Sequence, residues 1–208
     1  MHPRKWVSAS IALFFATFLF GCTPSPPSQS AIHAASAELS AVVIRAPRGW
    51  TPQAYTIPGD ASSRGDCIAK AQQGLNPSGW LASRTVSWRN TPTISGPHKE
   101  LGANLNVCLS RYASLAEARD VQNQLKNLVT VWEATPASTK PGSIVVPGVP
   151  GAVGSTINVV GAGLYDDVYL TKGNMVCWVD AICYGYKTYG LCSIALSTAQ
   201  QLFHSLPT

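Results

Sequence analysis

The sequence predicts an α+β domain: an antiparallel sheet with helices packed on one face, stapled by disulfide bonds. Two observations predict this class. Segments rich in β-branched and aromatic residues form two groups, and each group is followed by a segment with helical periodicity. Five cysteines follow residue 22 in a chain of 208 residues. The order strands, helix, strands, helix is typical of α+β domains.

Five segments have the alternation and composition of strands: 80–88, 105–112, 156–160, 168–171 and 175–183. The first two are predicted to pair as a hairpin. Lys172-Gly173-Asn174 marks a tight turn between the last two. The segment 135–154 separates the two groups and is predicted to be a long loop, because it is rich in Pro and Gly.

Three segments are predicted to be helical. Ser114-Leu115-Ala116-Glu117 is a capping box, and apolar residues recur behind it at helical spacing as far as Pro136. A second helix closes the chain before Pro207. One face of that helix carries Ala195, Thr198, Leu202 and Leu206. A shorter helix is predicted over 63–73, where Gly74 ends it.

The first 21 residues have the order of a secretory signal peptide. Arg4 and Lys5 precede an apolar run of 15 residues from Trp6 to Phe20, which is shorter than the roughly 20 residues of a permanent spanning helix. Leu19-Phe20-Gly21-Cys22 then resembles the lipobox of bacterial lipoproteins. The resemblance implies cleavage before Cys22 and attachment of fatty acyl chains such as palmitate, although Phe20 stands where that family has a small or β-branched residue. An uncleaved anchor and cleavage without lipid are the alternatives.

The chain is therefore expected to have three parts: a signal peptide at 1–21, a Pro/Ser-rich tether at 22–40 and one globular domain at 41–208. The tether composition is typical of a flexible spacer. The lipoprotein resemblance implies a location in the cell membrane or outer envelope, on the extracytoplasmic side. The lipid on Cys22 would be the link to the membrane.

The charge balance argues against nucleic acid as a partner. The chain carries 15 Lys+Arg against 10 Asp+Glu, and removal of Arg4 and Lys5 with the signal peptide leaves an excess of three. The basic residues are scattered, with no block that could follow a phosphate backbone. An envelope ligand, such as a lipid, a sugar or a peptide, is the expected partner beside the membrane.

The cysteines after Cys22 predict disulfide bonds, because exported domains fold in an oxidising compartment. Their spacing lacks the Cys-x-x-Cys pairs of zinc modules, so we expect no metal. Cys177 and Cys183 lie about 20 Å apart along one predicted strand and cannot bond to each other. We predict the pairs Cys67–Cys108 and Cys183–Cys192, with Cys177 buried and free. Other pairings stay open, because sequence alone does not fix connectivity.

The stretch from Arg111 to Arg119, Arg-Tyr-Ala-Ser-Leu-Ala-Glu-Ala-Arg, resembles a segment of small actinobacterial and mycobacterial cell-envelope lipoproteins. In those proteins, and in the outer sensor domains of mycobacterial receptor Ser/Thr kinases, a strand leads into such a helix. A later strand like 174–181 then precedes a C-terminal helix like 193–206. The resemblance implies a disulfide-bearing α+β domain with room for a ligand groove. It transfers no catalytic residue.

Catalytic motifs are weak. Gly161-Ala162-Gly163 lacks the third glycine and the following helix of a dinucleotide site, so we expect no cofactor. His98 lies in a loop and is the histidine best placed to pair with a distant carboxylate. Asp166 and Asp167 are adjacent on a strand and point to opposite faces, so they would not share a proton. We predict no catalytic residues.

Two surface motifs remain. Tyr184, Tyr186 and Tyr189 crowd a turn and could present half-polar rings to a ligand, or could cover the end of the core. Arg64-Gly65-Asp66 spells a tripeptide that integrins recognise in some adhesive proteins, but a helix start is favoured here. The sequence therefore predicts a membrane-anchored, non-catalytic binding or accessory module. An envelope hydrolase built on His98 is the alternative.

Overall fold

The computed structural model describes residues 26–53, 65–72, 75–90, 102–134, 142–159, 163–183 and 189–207. Within this part of the chain, seven strands form one sheet and four helices pack against it. The helices are α1 (Gln29–Ala41), α2 (Cys67–Ala71), α3 (Leu115–Ala134) and α4 (Tyr189–Ser205). The strands are β1 (Thr51–Gln53), β2 (Trp80–Asn90), β3 (Ala103–Tyr112), β4 (Gly142–Ser143), β5 (Val153–Val159), β6 (Gly163–Lys172) and β7 (Met175–Cys183).

The described strands are antiparallel to their neighbours, in the order β1-β2-β3-β7-β6-β5-β4. The two predicted strand groups meet where β3 pairs with β7. The predicted tight turn joins β6 to β7: Lys172 pairs with Met175, and Gly173 between them has a φ of +57°, which favours glycine. The α+β class and the antiparallel sheet are confirmed.

Helices cover both faces of the sheet. The side on which α1 and α4 pack, here called the α4 face, buries Leu105, Val107 and Leu109 of β3. The side on which α2 and α3 pack, here called the α3 face, buries Cys108 and Tyr112 of the same strand. This differs from the single helical face expected from the sequence. The central strand β7 is apolar on both sides except at Asp180, so each side needs cover from water.

The two longest predicted helices are present as α3 and α4. Ser114 caps α3: its Oγ accepts the backbone N–H of Glu117 at 3.2 Å and donates to Glu117 Oε2 at 2.9 Å. The predicted face of α4 is buried against the sheet. In the part of the chain described, none of the helices combines the length and apolar character needed to cross a membrane.

The structure contradicts the predicted tether at 22–40 over its second half, where α1 lies. Ser28 caps this helix by accepting a backbone N–H of the first turn, and Leu39 is 1% exposed against the sheet. Arg84 of β2 donates to the carbonyl oxygens of Leu39 and Val42 at 2.8 and 2.7 Å, which satisfies the free C-terminal end of the helix. Small Ala and Ser residues dominate α1, so its buried face produces little periodic signal.

The predicted loop at 135–154 packs against the domain where it is described. Val146 and Val149 are buried on the α4 face, while residues 135–141 lie outside the described part. A Cβ at Gly154 of β5 would lie 2.5 Å from the carbonyl oxygen of Asp167. The close pairing of β5 with β6 therefore requires glycine at this position.

Candidate functional site

Five polar residues lie side by side across five neighbouring strands on the α3 face. Each one pairs with the next in the antiparallel register, so their side chains share one face. We call this set the polar row. In the order β2, β3, β7, β6 and β5, its members are Ser87, Asn106, Asp180, Asp167 and Ser155.

The polar row is largely removed from solvent. Asn106 is 3% exposed, Asp180 7% and Ser155 0%, while Asp167 is partly buried. Polar groups in such positions cost free energy unless they are hydrogen-bonded, and carboxylates cost more. Strand positions of this kind are otherwise filled by apolar residues, as the neighbouring Val107 and Val179 show on the α4 face.

Each carboxylate of the row is held by one buried donor. The Nδ2 of Asn106 donates to Asp180 Oδ2 at 2.7 Å. The indole Nε1 of Trp178 donates to Asp167 Oδ1 at 2.6 Å. These bonds fix both side chains and use one oxygen of each carboxylate.

Burial raises the pKa of both carboxyl groups. The pKa of Asp167 rises to about 7, mainly through burial and then through the negative charge of Asp180, against the hydrogen bond from Trp178. The pKa of Asp180 rises to about 6 through burial, against the hydrogen bond from Asn106. The pair therefore titrates close to neutral pH rather than near pH 4, where exposed carboxyl groups do.

Several buried polar atoms of this region have no hydrogen-bond partner among the described residues. They are Ser87 Oγ, Asn106 Oδ1, Ser155 Oγ and the hydroxyl of Tyr169. An unsatisfied buried group of this kind costs about 1–3 kcal/mol. Each needs an explanation such as a bound water, ion or ligand. The row is thus a concentration of polar oxygen atoms that the described residues do not satisfy.

The polar row lies at the margin of the covered part of the α3 face. On the side toward the β6–β7 turn, Cys108, Trp178 and Tyr169 are buried beneath α2 and α3. On the opposite side, Tyr165 and Ile182 occupy the next positions in the register and are partly exposed. Asp167 is itself partly exposed, so among the described residues the row borders solvent on this side.

A further buried carboxylate, that of Asp66, has a structural role. It caps α2 by accepting the backbone N–H of Ile68 at 2.9 Å, and it accepts hydrogen bonds from Ser110 Oγ at 2.6 Å and from the Tyr112 hydroxyl. Burial and the charge of Asp66 raise the pKa of Tyr112. Asp66 is turned into the domain, so it cannot present an integrin-type tripeptide, and the helix start favoured from the sequence is confirmed. The predicted helix over 63–73 is described as the shorter α2.

Cys67 and Cys108 form a disulfide bond with a Cα–Cα distance of 6.1 Å, which links α2 to β3 on the α3 face. Cys177 is buried and carries a free thiol whose pKa is raised by burial. Cys183 is disulfide-bonded. The side chain of Cys192 lies outside the described part, so the pair Cys183–Cys192 stays a prediction.

Other sequence-predicted site residues cannot be placed. Cys22, His98, Tyr184 and Tyr186 lie outside the described residues, and so does the side chain of Tyr189, the first residue of α4. Asp166 does point away from Asp167: it pairs with Ala181 on the α4 face.

Sequence reasoning missed the pairing of Asp167 with Asp180, although a signal for it exists. Lys172 and Met175 flank the two-residue turn, Asp167 lies five residues before Lys172, and Asp180 lies five residues after Met175. Two residues that lie the same number of positions before and after a two-residue hairpin turn face each other across the two strands. The contributions of Asn106 and Ser155 depend on strand pairings that no local pattern reveals.

A second concavity lies on the α4 face, between residues 43–45 and α4. It has a volume of about 490 Å³ and is open to solvent. Its lining includes Val43, Ile44, Arg45, Leu202 and His204. Among the described residues, no three His, Cys, Asp or Glu side chains lie close enough together to form a metal site by themselves.

Comparison with protein-family models finds no match, and comparison with curated proteins finds none. Among solved structures, the chain is similar to the extracellular domain of PknH from Mycobacterium tuberculosis, with a TM-score of 0.41 and 12% identity. The match covers 61% of this chain and 66% of that domain, just under two thirds of its length. The lipobox resemblance rests on sequence alone.

Proposed function

We propose that this chain is a cell-envelope lipoprotein, exported and held by lipid on Cys22, whose folded domain is a non-catalytic binding module. The lipobox-like residues Leu19 to Cys22 support the anchor. Residues 23–28 separate Cys22 from α1 and can span at most about 25 Å. The domain would therefore sit close to the membrane surface.

The binding role rests on one observation, the polar row. Like charges directly opposite on neighbouring strands destabilise a sheet, and buried acceptors without donors add a further cost. When facing carboxylates and unpaired acceptors occur together at one place in a fold, that place is typically a functional site. The row offers acceptor oxygens and negative charge, so the ligand should be positively charged or rich in hydrogen-bond donors. Tyr184, Tyr186 and Tyr189 are proposed as additional contacts with an envelope lipid, sugar or peptide.

An envelope hydrolase is the second candidate. The observation in its favour is the near-neutral pKa of Asp167, since acid and base catalysis uses carboxyl groups tuned in this way. Incubation of isolated cell envelopes with the purified protein, followed by assay for released sugars and peptides, tests it. Binding alone predicts equal release by wild type and Asp167→Asn. Release that depends on Asp167 would establish the hydrolase instead.

The anchor is tested by the variant Cys22→Ala, with Cys177→Ala as the matched control. Cys22→Ala should lose the lipid mass and move from the membrane fraction to the soluble fraction. Cys177→Ala should keep both the lipid mass and the membrane fraction. If Cys22→Ala retained its lipid mass and partition, the chain would not be a lipoprotein of this kind.

A further inference from the structure

We infer that the polar row is a binding site for a hard divalent cation such as Ca²⁺ or Mg²⁺. The carboxylates of Asp167 and Asp180 would hold the cation, and Asn106 and Ser155 on the two flanking strands would bind water molecules that it coordinates. This inference rests on the proposed binding role of the row and names its ligand class. The row carries two negative charges, and its oxygen atoms are chemically suited to such a cation, are oriented by hydrogen bonds and lie beside partly exposed residues.

Among the described residues, no basic side chain is bonded to the carboxylates of the row. Asp167 and Asp180 face each other across β6 and β7, and neither forms an ion pair or a hydrogen bond with a described basic side chain. Arg89 shares the face of the row, but it is exposed on β2, three strands away from Asp167. On the opposite face, Arg84 binds the C-terminal carbonyls of α1, and Arg111 pairs with Glu38 at 2.6 Å. A divalent cation would balance both carboxylates at once.

The donors of the row are all oxygen atoms. They comprise carboxylate, amide carbonyl and hydroxyl groups, which are the ligands that Ca²⁺ and Mg²⁺ prefer. The sulfur atom nearest in register, that of Cys108, is consumed in the disulfide bond with Cys67. Softer metals that select thiolate or imidazole therefore have no suitable ligand in the row.

The donors are already oriented. Asn106 uses its Nδ2 to hold Asp180, so its unpartnered Oδ1 is fixed beside the same carboxylate. Ser155 is fully buried, pairs with Asp167 across β5 and β6, and has an unpartnered Oγ. Trp178 holds Asp167 from outside the row, in the way that outer partners orient the carboxylates of metal sites.

A primary ammonium group is the competing ligand class, since it also donates to acceptor oxygens. It carries a single positive charge, whereas both carboxylates of the row are ionised above about pH 7. The divalent cation is therefore favoured at such pH. Among the described residues, Asp167, Tyr165 and Ile182 are partly exposed, and either ligand would approach the row from this margin.

Terbium luminescence tests the site in the full-length protein in detergent, after treatment with EDTA. Tb³⁺ is a hard cation whose emission is sensitised by a nearby indole, and Trp178 contacts Asp167 directly. We expect saturable emission that Ca²⁺ or Mg²⁺ displaces. Titration with Ca²⁺ up to about 10 mM covers the dissociation constants of about 10⁻⁴–10⁻³ M that are typical of extracellular modules.

Variants of the row should weaken Ca²⁺ binding in a set order. Asp167→Asn and Asp180→Asn should each raise the dissociation constant by about tenfold or more, and Ser155→Ala, which perturbs the fold least, by several-fold. Asp166→Asn, on the opposite face, is the matched control: it removes a nearby negative charge but no member of the row, so the dissociation constant should rise by less than for either row carboxylate. Thermal unfolding of each variant verifies that it is folded.

Equal Tb³⁺ affinity in wild type and Asp180→Asn, or emission that Ca²⁺ cannot displace, would overturn the inference. Thermal stabilisation by propylammonium without stabilisation by Ca²⁺ would overturn it too, in favour of an amine ligand. In both cases the proposed binding role would stand if an organic ligand of wild type were lost in Asp180→Asn. That outcome distinguishes the failure of the cation site from the failure of the proposed function.

Discussion

Asp167 and Asp180 lie directly opposite each other on β6 and β7, each five residues from the turn that joins these strands. Their carboxylates share one face, and Asn106 and Trp178 hold them from two sides. Two buried like charges in register raise the cost of ionising either group. The stability of the domain should therefore depend on the protonation of this pair.

The pH dependence of stability is the first prediction. The folded pKa of Asp167, about 7, and that of Asp180, about 6, lie above the ordinary value of 3.8. The folded state then binds more protons than the unfolded state between about pH 4 and pH 7, so these groups make the free energy of unfolding fall as the pH rises through that window. Urea unfolding in EDTA at pH 4.5, 6 and 7.5 measures it.

Asp180→Asn is the variant that isolates this effect. It should be more stable than wild type at pH 7.5 by on the order of 1–3 kcal/mol, and the difference should shrink toward pH 4.5. The pKa of Asp166 is also raised by burial, and its negative charge raises the pKa of Asp180, so part of the difference between the two proteins reflects the repulsion between Asp166 and Asp180 that the variant removes. The pKa of Tyr169 is raised further above 10, so this group does not titrate in the window. Equal pH slopes for wild type and variant would contradict the account.

Asp66 links α2 to β3 through its hydrogen bonds. Asp66→Ala removes the helix cap and leaves the hydroxyls of Ser110 and Tyr112 buried without their acceptor. We expect a loss of about 2–4 kcal/mol in the free energy of unfolding. Asp120→Ala, on the exposed side of α3, is the control and should change it by less than about 0.5 kcal/mol. A similar loss in both variants, measured by urea unfolding, would remove the special role of Asp66.

Helix α1 belongs to the core and is not part of a tether. Leu39→Ala should therefore cost about 2–4 kcal/mol, as for other buried leucines. Val43 lies four residues further along and is 62% exposed, so Val43→Ala should cost less than about 0.5 kcal/mol. Chemical denaturation of the two variants compares them. A negligible effect of Leu39→Ala on the free energy of unfolding would instead favour the interpretation of residues 22–40 as a tether.

The Cys67–Cys108 bond spans 41 residues and should contribute on the order of 2–5 kcal/mol to stability. The double variant Cys67→Ala with Cys108→Ala measures this loss in urea without reductant. Cys177→Ala removes a buried sulfur that forms no crosslink, so its effect comes from packing alone. It should lower the free energy of unfolding by less than the double variant does. If the double variant were no less stable than Cys177→Ala, crosslinking would not be the source of the stabilisation.

Features with strong local signals could be predicted from the sequence. The capping residue Ser114, the buried face of α4 and the turn at Gly173 each depend on residues within a few positions of one another. Helix α1 was not predicted because its fully buried side comprises only Ala35 and Leu39, and an alanine contrasts little with the small exposed residues around it. Helical cover on both faces follows from β7, which is apolar at every position except Asp180 and so presents apolar side chains to both sides of the sheet.

The polar row could not be predicted as a whole because its members come from five strands, between residues 87 and 180. Asn106 meets Asp180 only through the register of β3 on β7, and long-range register follows from the packing of the whole domain. Asp167 and Asp180 alone could be paired by counting outward from the turn. Where a predicted buried strand contains an isolated Asp or Asn, counting residues outward from a nearby short turn therefore identifies the residue opposite it on the next strand.

Native mass spectrometry of the protein purified from the envelope membrane tests both the lipid anchor and ligand binding by the polar row. We expect a chain that begins at Cys22 with a covalent lipid and carries a bound ligand. That bound mass should be absent from Asp180→Asn and retained in Asp166→Asn. A chain without lipid, or a bound mass equal in the two variants, would contradict a lipid-anchored domain that binds through the polar row.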